Sequence, residues 1–495
     1  MTKEESNIFN YITTQENAYE LSISLNDAWN WSMKDHIKTT VLYSNGQLLS
    51  GKDENKPIKN IIRPILNLQH RVEDIELRDV QLYVDNPEKR HLSFLVKKYH
   101  DDVFVKEHDL DTYFDELNTS RIDFGGGLSK MTDKPEHVPL QSIAFCDQTD
   151  IMSGPIALKH FYSPDQLMAM SKVGWGEERN GATASLQEVI TLSQDEKKVD
   201  RLKGESTKTP GRYVEVYEVH GNLPKKFADP NDTSGEYETR IFIVCFYQKK
   251  DSDQREGIIL YTAPEKEIPF KLIKRDPIWG RALGMGGAEE LFEPQVWVNY
   301  SVIRQKDMLD AASKTILISN DPAVAQRNNL RNMKNLDIIS EQTNGNTRQL
   351  DTYPRNINAF EQDVVNWETH AQQMGAANDS IMGKNPTSGT PFALQELVTE
   401  QSQGLHDYRR GQFAKHIEEI YNDWVIPQIE KKITAGASFL SELSMDELKY
   451  VVDCIVRNKV ATLKKERVLN GEEIPTDEEA KMIEDKIRGE FQSGG

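Results

Sequence analysis

The sequence predicts an α+β chain with more than one core, and three observations carry that prediction. Short alternating runs of apolar and polar residues fill much of the stretch from Leu140 to Pro269, whereas apolar residues at helical spacing dominate most of the remainder. The third observation is length, since 495 residues exceed the ~250–300 at which a single hydrophobic core stops growing. With 8% aromatic residues and no low-complexity tract, folded structure is expected almost throughout, with disorder at the two ends.

Residues 1–130 read as mainly helical. Between Phe94 and Leu117 apolar residues recur at three-, four- and seven-residue steps, and the run stops before the turn at Gly125-Gly126-Gly127. In the next block, residues 213–219, 240–247 and 257–261 read as antiparallel strands, punctuated by turn clusters such as Ala228-Asp229-Pro230-Asn231-Asp232. Ser163 before Pro164 marks one helix start, with the serine as N-cap.

Beyond Pro277 a helix is expected from Glu289 to about Ser313, with a stripe of Leu291, Val298, Val302 and Leu309 and a length of roughly 37 Å. Leu291, Val298, Val302 and Leu309 are expected to pack against a neighbouring helix. Glu290, Glu293, Asp307 and Asp310 are expected toward solvent or a lumen, because burying an unpaired carboxylate costs several kcal/mol. Residues 314–356 then read as a small αβ insert with strands at 315–318 and 336–339 and a turn at Thr343-Asn344-Gly345-Asn346. A helix over Asn358 to Met374 follows, then a Gly/Pro/Ser/Thr loop from Gly383 to Pro391. The longest periodic run, Leu394 to Trp424, should end at Pro427. Gly404 and Gly411 inside it each cost about 1 kcal/mol relative to Ala and imply a kink or a close backbone contact. Capping boxes at Ser444/Glu447 and Thr476/Glu479 start two terminal helices.

Sixty Lys+Arg against 79 Asp+Glu give a net charge of −19, which disfavours a protein that grips nucleic acid with its whole surface. There is no run of ~18 apolar residues and no signal-peptide layout at the start, so the expectation is a cytoplasmic chain with no membrane contact. Cys146, Cys245 and Cys454 are far apart in sequence and in apolar contexts, which implies inert buried thiols.

Motifs for chemistry fail on inspection. The run Gly280, Gly284, Gly286, Gly287 lacks dinucleotide spacing and precedes Glu289-Glu290, so it reads as a hinge. Gly383-Lys384 lacks the upstream glycine of a phosphate loop, and Asn385 stands where Ser or Thr is required. Asp251 and Asp253 read as a hairpin turn, not a calcium loop, and His416 with Glu419 reads as a solvated helix face, not half a metal site. With no G-x-S-x-G, H-E-x-x-H or Cys-x-x-Cys either, no catalytic constellation, cofactor or metal site is expected.

One stretch does carry a likeness: Pro277-Ile278-Trp279-Gly280-Arg281, Gly284-Met285-Gly286, Glu290-Leu291, Gln295 and Asn299. Together with the order of elements over essentially the whole chain, it resembles the portal (head-to-tail connector) proteins of tailed bacteriophages. The resemblance implies a portal fold: a helix-rich wing with antiparallel β structure (1–276), a first stem helix (277–313), a clip (314–356), a second stem helix (357–380), a tunnel loop (381–392), a long kinked wing helix (393–433) and a helical crown (434–495).

That resemblance further implies a non-enzymatic subunit of a ring of about twelve copies at one capsid vertex, in the virion and, during assembly, in the host cytoplasm. Double-stranded DNA would pass through it without sequence specificity. The expected partners are the terminase large subunit, a tail adaptor, the major capsid protein and scaffolding protein. About twelve copies at −19 each sum to roughly −230, and an acidic wall repels passing phosphates instead of trapping them. The clip carries six basic against four acidic residues, so Arg327, Arg331, Lys334 and Arg348 are the expected partner surface. Lys384, Asn385, Thr387, Ser388 and Thr390 are the expected DNA-facing residues of the tunnel loop, able to bond phosphates without reading bases. Leu291, Val298, Val302 and Leu309 become the expected subunit interface. The alternatives are another multi-domain structural or adaptor protein of a virion without a DNA channel, and an enzyme of unrecognised class.

Overall fold

The computed structural model describes residues 7–25, 29–47, 57–83, 92–194, 213–232, 234–248, 255–313, 317–320, 323, 348–349, 357–377, 381–382, 392–434, 445–470 and 477–492. It is a mixed α+β structure with antiparallel sheets, as the patterning predicts.

The central sheet has five strands in the order β5-β6-β7-β8-β9: Ile143–Phe145, Ile156–Tyr162, Val214–Pro224, Tyr237–Gln248 and Arg255–Pro264. Alternation along β7 and β8 gives each face its own core. Tyr217, Val219, Phe242, Val244 and Phe246 face helices α1 (Ile8–Tyr19) and α2 (Met33–Ser44) within the largest apolar cluster. Val216, Ile243, Cys245, Ile258 and Leu260 join a second cluster with α7 (Pro164–Ala169) and α8 (Leu186–Gln194). Ser163 caps α7 in a full capping box with Gln166. A short hairpin, β1 (Ile23–Leu25) with β2 (Trp29–Trp31), lies between α1 and α2 in the region read as mainly helical.

A second sheet, β10-β3-β4 (Phe270–Lys274, Gly126–Met131, Pro135–Val138), extends from the end of the helix that closes at Phe124. The expected helical run over residues 94–117 is broken into α4 (Leu92–Tyr99), a π-turn (His100–Phe104), α5 (Val105–His108) and α6 (Leu110–Phe124), with Asp109 in left-handed geometry at the last break. α3 (Ile62–Val72) packs beside α6.

The late helices are α9 (Gly287–Glu290), α10 (Phe292–Ala312), α11 (Ile357–Met374), α12 (Phe392–Ile420), α13 (Ile426–Thr434), α14 (Met445–Leu469) and α15 (Asp477–Gln492). The helix expected from Glu289 is interrupted at Leu291, between α9 and α10. Pro427 does not stop the long helix. A π-turn at Tyr421–Val425 absorbs the missing hydrogen bond, and the chain continues into α13. Gly404 and Gly411 make no close contact, since a Cβ at either would meet nothing within 4 Å; the irregularity sits about three to five turns downstream, at Tyr421.

Candidate functional site

The element with the plainest mechanical character is the pair α10 and α11. Trp297 stacks on Trp367 with ring centroids 6.1 Å apart, and Ser301 Oγ donates to Asp363 Oδ2 at 2.6 Å. Because the partner number falls as the α10 number rises, the helices run antiparallel. At their far end, Leu317–Ile318 (β11) pairs antiparallel with Arg348–Gln349 (β12). The chain thus goes out along α10 to β11 and comes back from β12 along α11. The expected second strand at 336–339 lies outside the described residues; the partner of β11 is Arg348-Gln349.

The base of this pair is fixed by the residues quoted for the resemblance. Gln295 Oε1 accepts the Ile61 N–H at 2.8 Å, and Gln295 Nε2 donates to the Lys59 carbonyl at 2.8 Å and to Asn299 Oδ1 at 2.9 Å. Gln295 therefore satisfies backbone at the start of α3, where the N-cap residue Ile61 offers no side-chain hydrogen bond of its own. Arg281 is buried, grips Glu289 through both terminal nitrogens at 2.7 and 2.6 Å, and donates to the carbonyls of Leu283 and Gly284. Its guanidinium also lies over the Trp31 ring.

The glycine run is a close-packed crossing, which corrects the expectation of a hinge. Gly125, at φ +79°, accepts hydrogen bonds at its carbonyl from both Arg275 and Gly284. A Cβ on Gly284 would lie 1.7 Å from the Arg275 carbonyl oxygen, and one on Gly125 would lie 2.2 Å from that of Gly284. Backbone passes against backbone here, so glycine is required for proximity and not for motion.

Beneath the crossing lies a buried ionic node. Glu73 closes α3 and is fully buried; its carboxylate faces Arg121 (2.8 Å), Arg275 (3.4 Å), His406 (3.2 Å) and Arg409 (3.9 Å). Arg409 also meets Asp276 at 2.5 Å and Glu290 at 3.5 Å, and His406 Nε2 lies 3.2 Å from the Ala376 carbonyl beyond α11. Burial alone would raise the Glu73 carboxyl, but the His406 hydrogen bond and the Arg275, Arg121 and Arg409 charges hold it at about 2. Arg275 Nε, Arg409 Nε and Nη1, Glu290 Oε2 and Gln69 Oε1 have no hydrogen-bond partner among the described residues. The node ties α3, α6, β10, the α9 turn, the end of α11 and α12 to one another. Among the described residues no group of three or more His, Cys, Asp or Glu is placed to hold a metal ion, and no described helix is long and apolar enough to cross a membrane.

The expected site residues fall in three groups. Lys384, Asn385, Thr387, Ser388 and Thr390, together with Arg327, Arg331 and Lys334, lie outside the described residues, and Arg348 is exposed on β12. Leu291 and Val298 are completely covered by this chain's own helices, in a cluster with Ile62, Leu66, Val364 and Ala371, so they offer no surface to another subunit. Val302 is partly covered by that cluster, and Leu309 is half exposed. The exposed face of α10 carries Trp297, Tyr300 and Arg304 instead.

Glu293, Asp307 and Asp310 are exposed as expected, but Glu290 is half-buried beside Arg409. His416 is also buried, not on a solvated face; burial, with Lys271 and Arg121 nearby, pushes its imidazole down to about 4. The cysteines are free thiols: Cys245 is fully buried, burial pushes the Cys146 thiol up, and Cys454 is half-buried on α14.

No family model and no curated protein matches this chain.

Proposed function

We propose that the chain is a subunit of a bacteriophage portal: a ring of about twelve copies through which double-stranded DNA enters the capsid during packaging and leaves on ejection. In this reading the protein is a conduit and docking platform, not an enzyme. The observation that carries it is the out-and-back helix pair α10/α11, stacked at Trp297 and Trp367 and closed at its tip by β11 and β12. It stands after the β-rich block and before the long helix, in the order that stem, clip and stem would take.

Two further features support the reading. Three of the residues quoted for the resemblance, Arg281, Gln295 and Asn299, are buried and fix the base of the pair to α3 and to the glycine crossing. The ionic node joins the end of α11 to α12, so a force on the helix pair would be carried to the long helix through His406 and Arg409. Terminase and then the tail adaptor would dock on residues 314–356, while Lys384 and its polar neighbours would touch DNA phosphates.

Deleting residues 324–348 should leave the assembly intact and abolish packaging. Lys384→Glu should slow packaging or let packaged DNA slip. Normal packaging and retention in both variants would overturn the assignment of these roles.

A further inference from the structure

α14 and α15 pack on each other: among the described residues their shared cluster comprises the buried Val456, Val460 and Ala480, with Val452 and Ile483 packed against it. Away from that cluster, both helices carry exposed positions.

Each helix carries a second seam on the side away from the partner it already has. On α14, Tyr450, Cys454, Arg457, Ala461, Lys464 and Val468 follow alternating four- and three-residue steps, the spacing that lets one helix lie along another. Every one of them is exposed or half-buried, and Tyr450 lies against Cys454. On α15 the outer positions are Met482, Asp485 and Gly489, all exposed, with Met482 at 69%. Met482 gives an apolar knob, and Gly489, two turns further along, leaves room for close approach.

The two seams are opposite in charge. Residues 456–469 of α14 hold five basic residues against Glu466, whereas α15 holds six acidic against three basic. The α14 seam presents Arg457 and Lys464, and the α15 seam presents Asp485. Unlike faces on one chain that complement each other make a head-to-tail contact, which closes into a ring when the rotation allows.

We infer that the outer seam of α14 docks on the outer seam of α15 of a second copy, so that the C-terminal hairpins of neighbouring subunits form one continuous belt of alternating α14 and α15. This rests on the ring reading above and names the surface by which its C-terminal part would close.

The test uses the full chain with the exposed Met482→Cys substitution and a short bifunctional thiol cross-linker, with assembly followed by light scattering. Met482 and Cys454 lie on outer faces of different helices, and a bridge that joins two chains is read as a chain multiple on the gel. The expected result is a ladder of chain multiples on a denaturing gel, lost when Cys454→Ser is added. Arg457→Glu with Lys464→Glu should weaken the ladder about fivefold or more, and Asp485→Lys added to that pair should restore it. An intact assembly that yields single-chain bands alone overturns the belt and leaves the ring standing. A protein that stays a single chain in light scattering, with no ladder, overturns both.

Discussion

His406 and Glu73 stand 333 residues apart in sequence, and the imidazole Nδ1 lies 3.2 Å from the carboxylate Oε1 with both side chains fully buried. This contact, with the three arginines around the same carboxylate, seats the long helix α12 on the body of the protein. A buried carboxylate facing that much positive charge is a liability when removed: the guanidinium groups it balances stay buried and unbalanced.

Glu73→Ala should therefore destabilise the fold by about 3–5 kcal/mol in chemical denaturation. The pH dependence has a definite sign. Because the folded carboxyl is held at about 2, below its ordinary value, its contribution is complete above about pH 5 and is lost as pH falls through the folded value. Glu73→Gln should flatten that acid limb, and an unchanged limb would remove Glu73 from the account.

His416 gives a second acid signature with another origin. Burial, then Lys271 and Arg121, depress its imidazole to about 4, so the folded state refuses a proton that the unfolded chain takes up near pH 6.5. Stability should be complete above about pH 6.5 and decline as pH falls from there to about 4. His416→Gln should remove that segment of the profile while leaving the lower limb of Glu73 in place.

The glycines separate into two kinds with opposite predicted outcomes. Gly284→Ala places a methyl group 1.7 Å from the Arg275 carbonyl oxygen and should cost about 3 kcal/mol or more, or prevent folding. Gly404→Ala and Gly411→Ala, where a Cβ meets nothing, should each raise stability by about 0.5–1 kcal/mol in thermal unfolding.

Gln295→Ala should cost about 2–3 kcal/mol, because it strips the buried Ile61 N–H and the part-buried Lys59 carbonyl of their partner. Trp297→Ala, on the exposed side of the same helix, should cost less, since it removes one stacked pair without leaving a polar group unsatisfied. Equal losses in the two variants would contradict this picture of the helix base.

Much of the fold was legible where a local pattern sufficed. The alternation over residues 213–219 and 240–247 marked β7 and β8, and Ser163 with Pro164 marked the start of α7. What the sequence hid is what depends on distant partners. Glu290 was expected in solvent because an unpaired buried carboxylate is costly, and nothing local reveals that Arg409 lies beside it. One signal was available: the buried face of α12 runs Ile420, Ile417, Phe413, Arg409, His406 at three- and four-residue steps, so charged residues occupy its apolar seam. Leu291 and Val298 were read correctly as a packing stripe, but the surface that covers them comes from α3 and α11 of the same chain.

The central claim is that copies of this chain close around a channel, and single-particle microscopy of the purified full-length protein tests it most directly. The account predicts rings of about twelve copies with a central hole, and a solution mass to match by light scattering. Single chains, or closed particles without a hole, would contradict it.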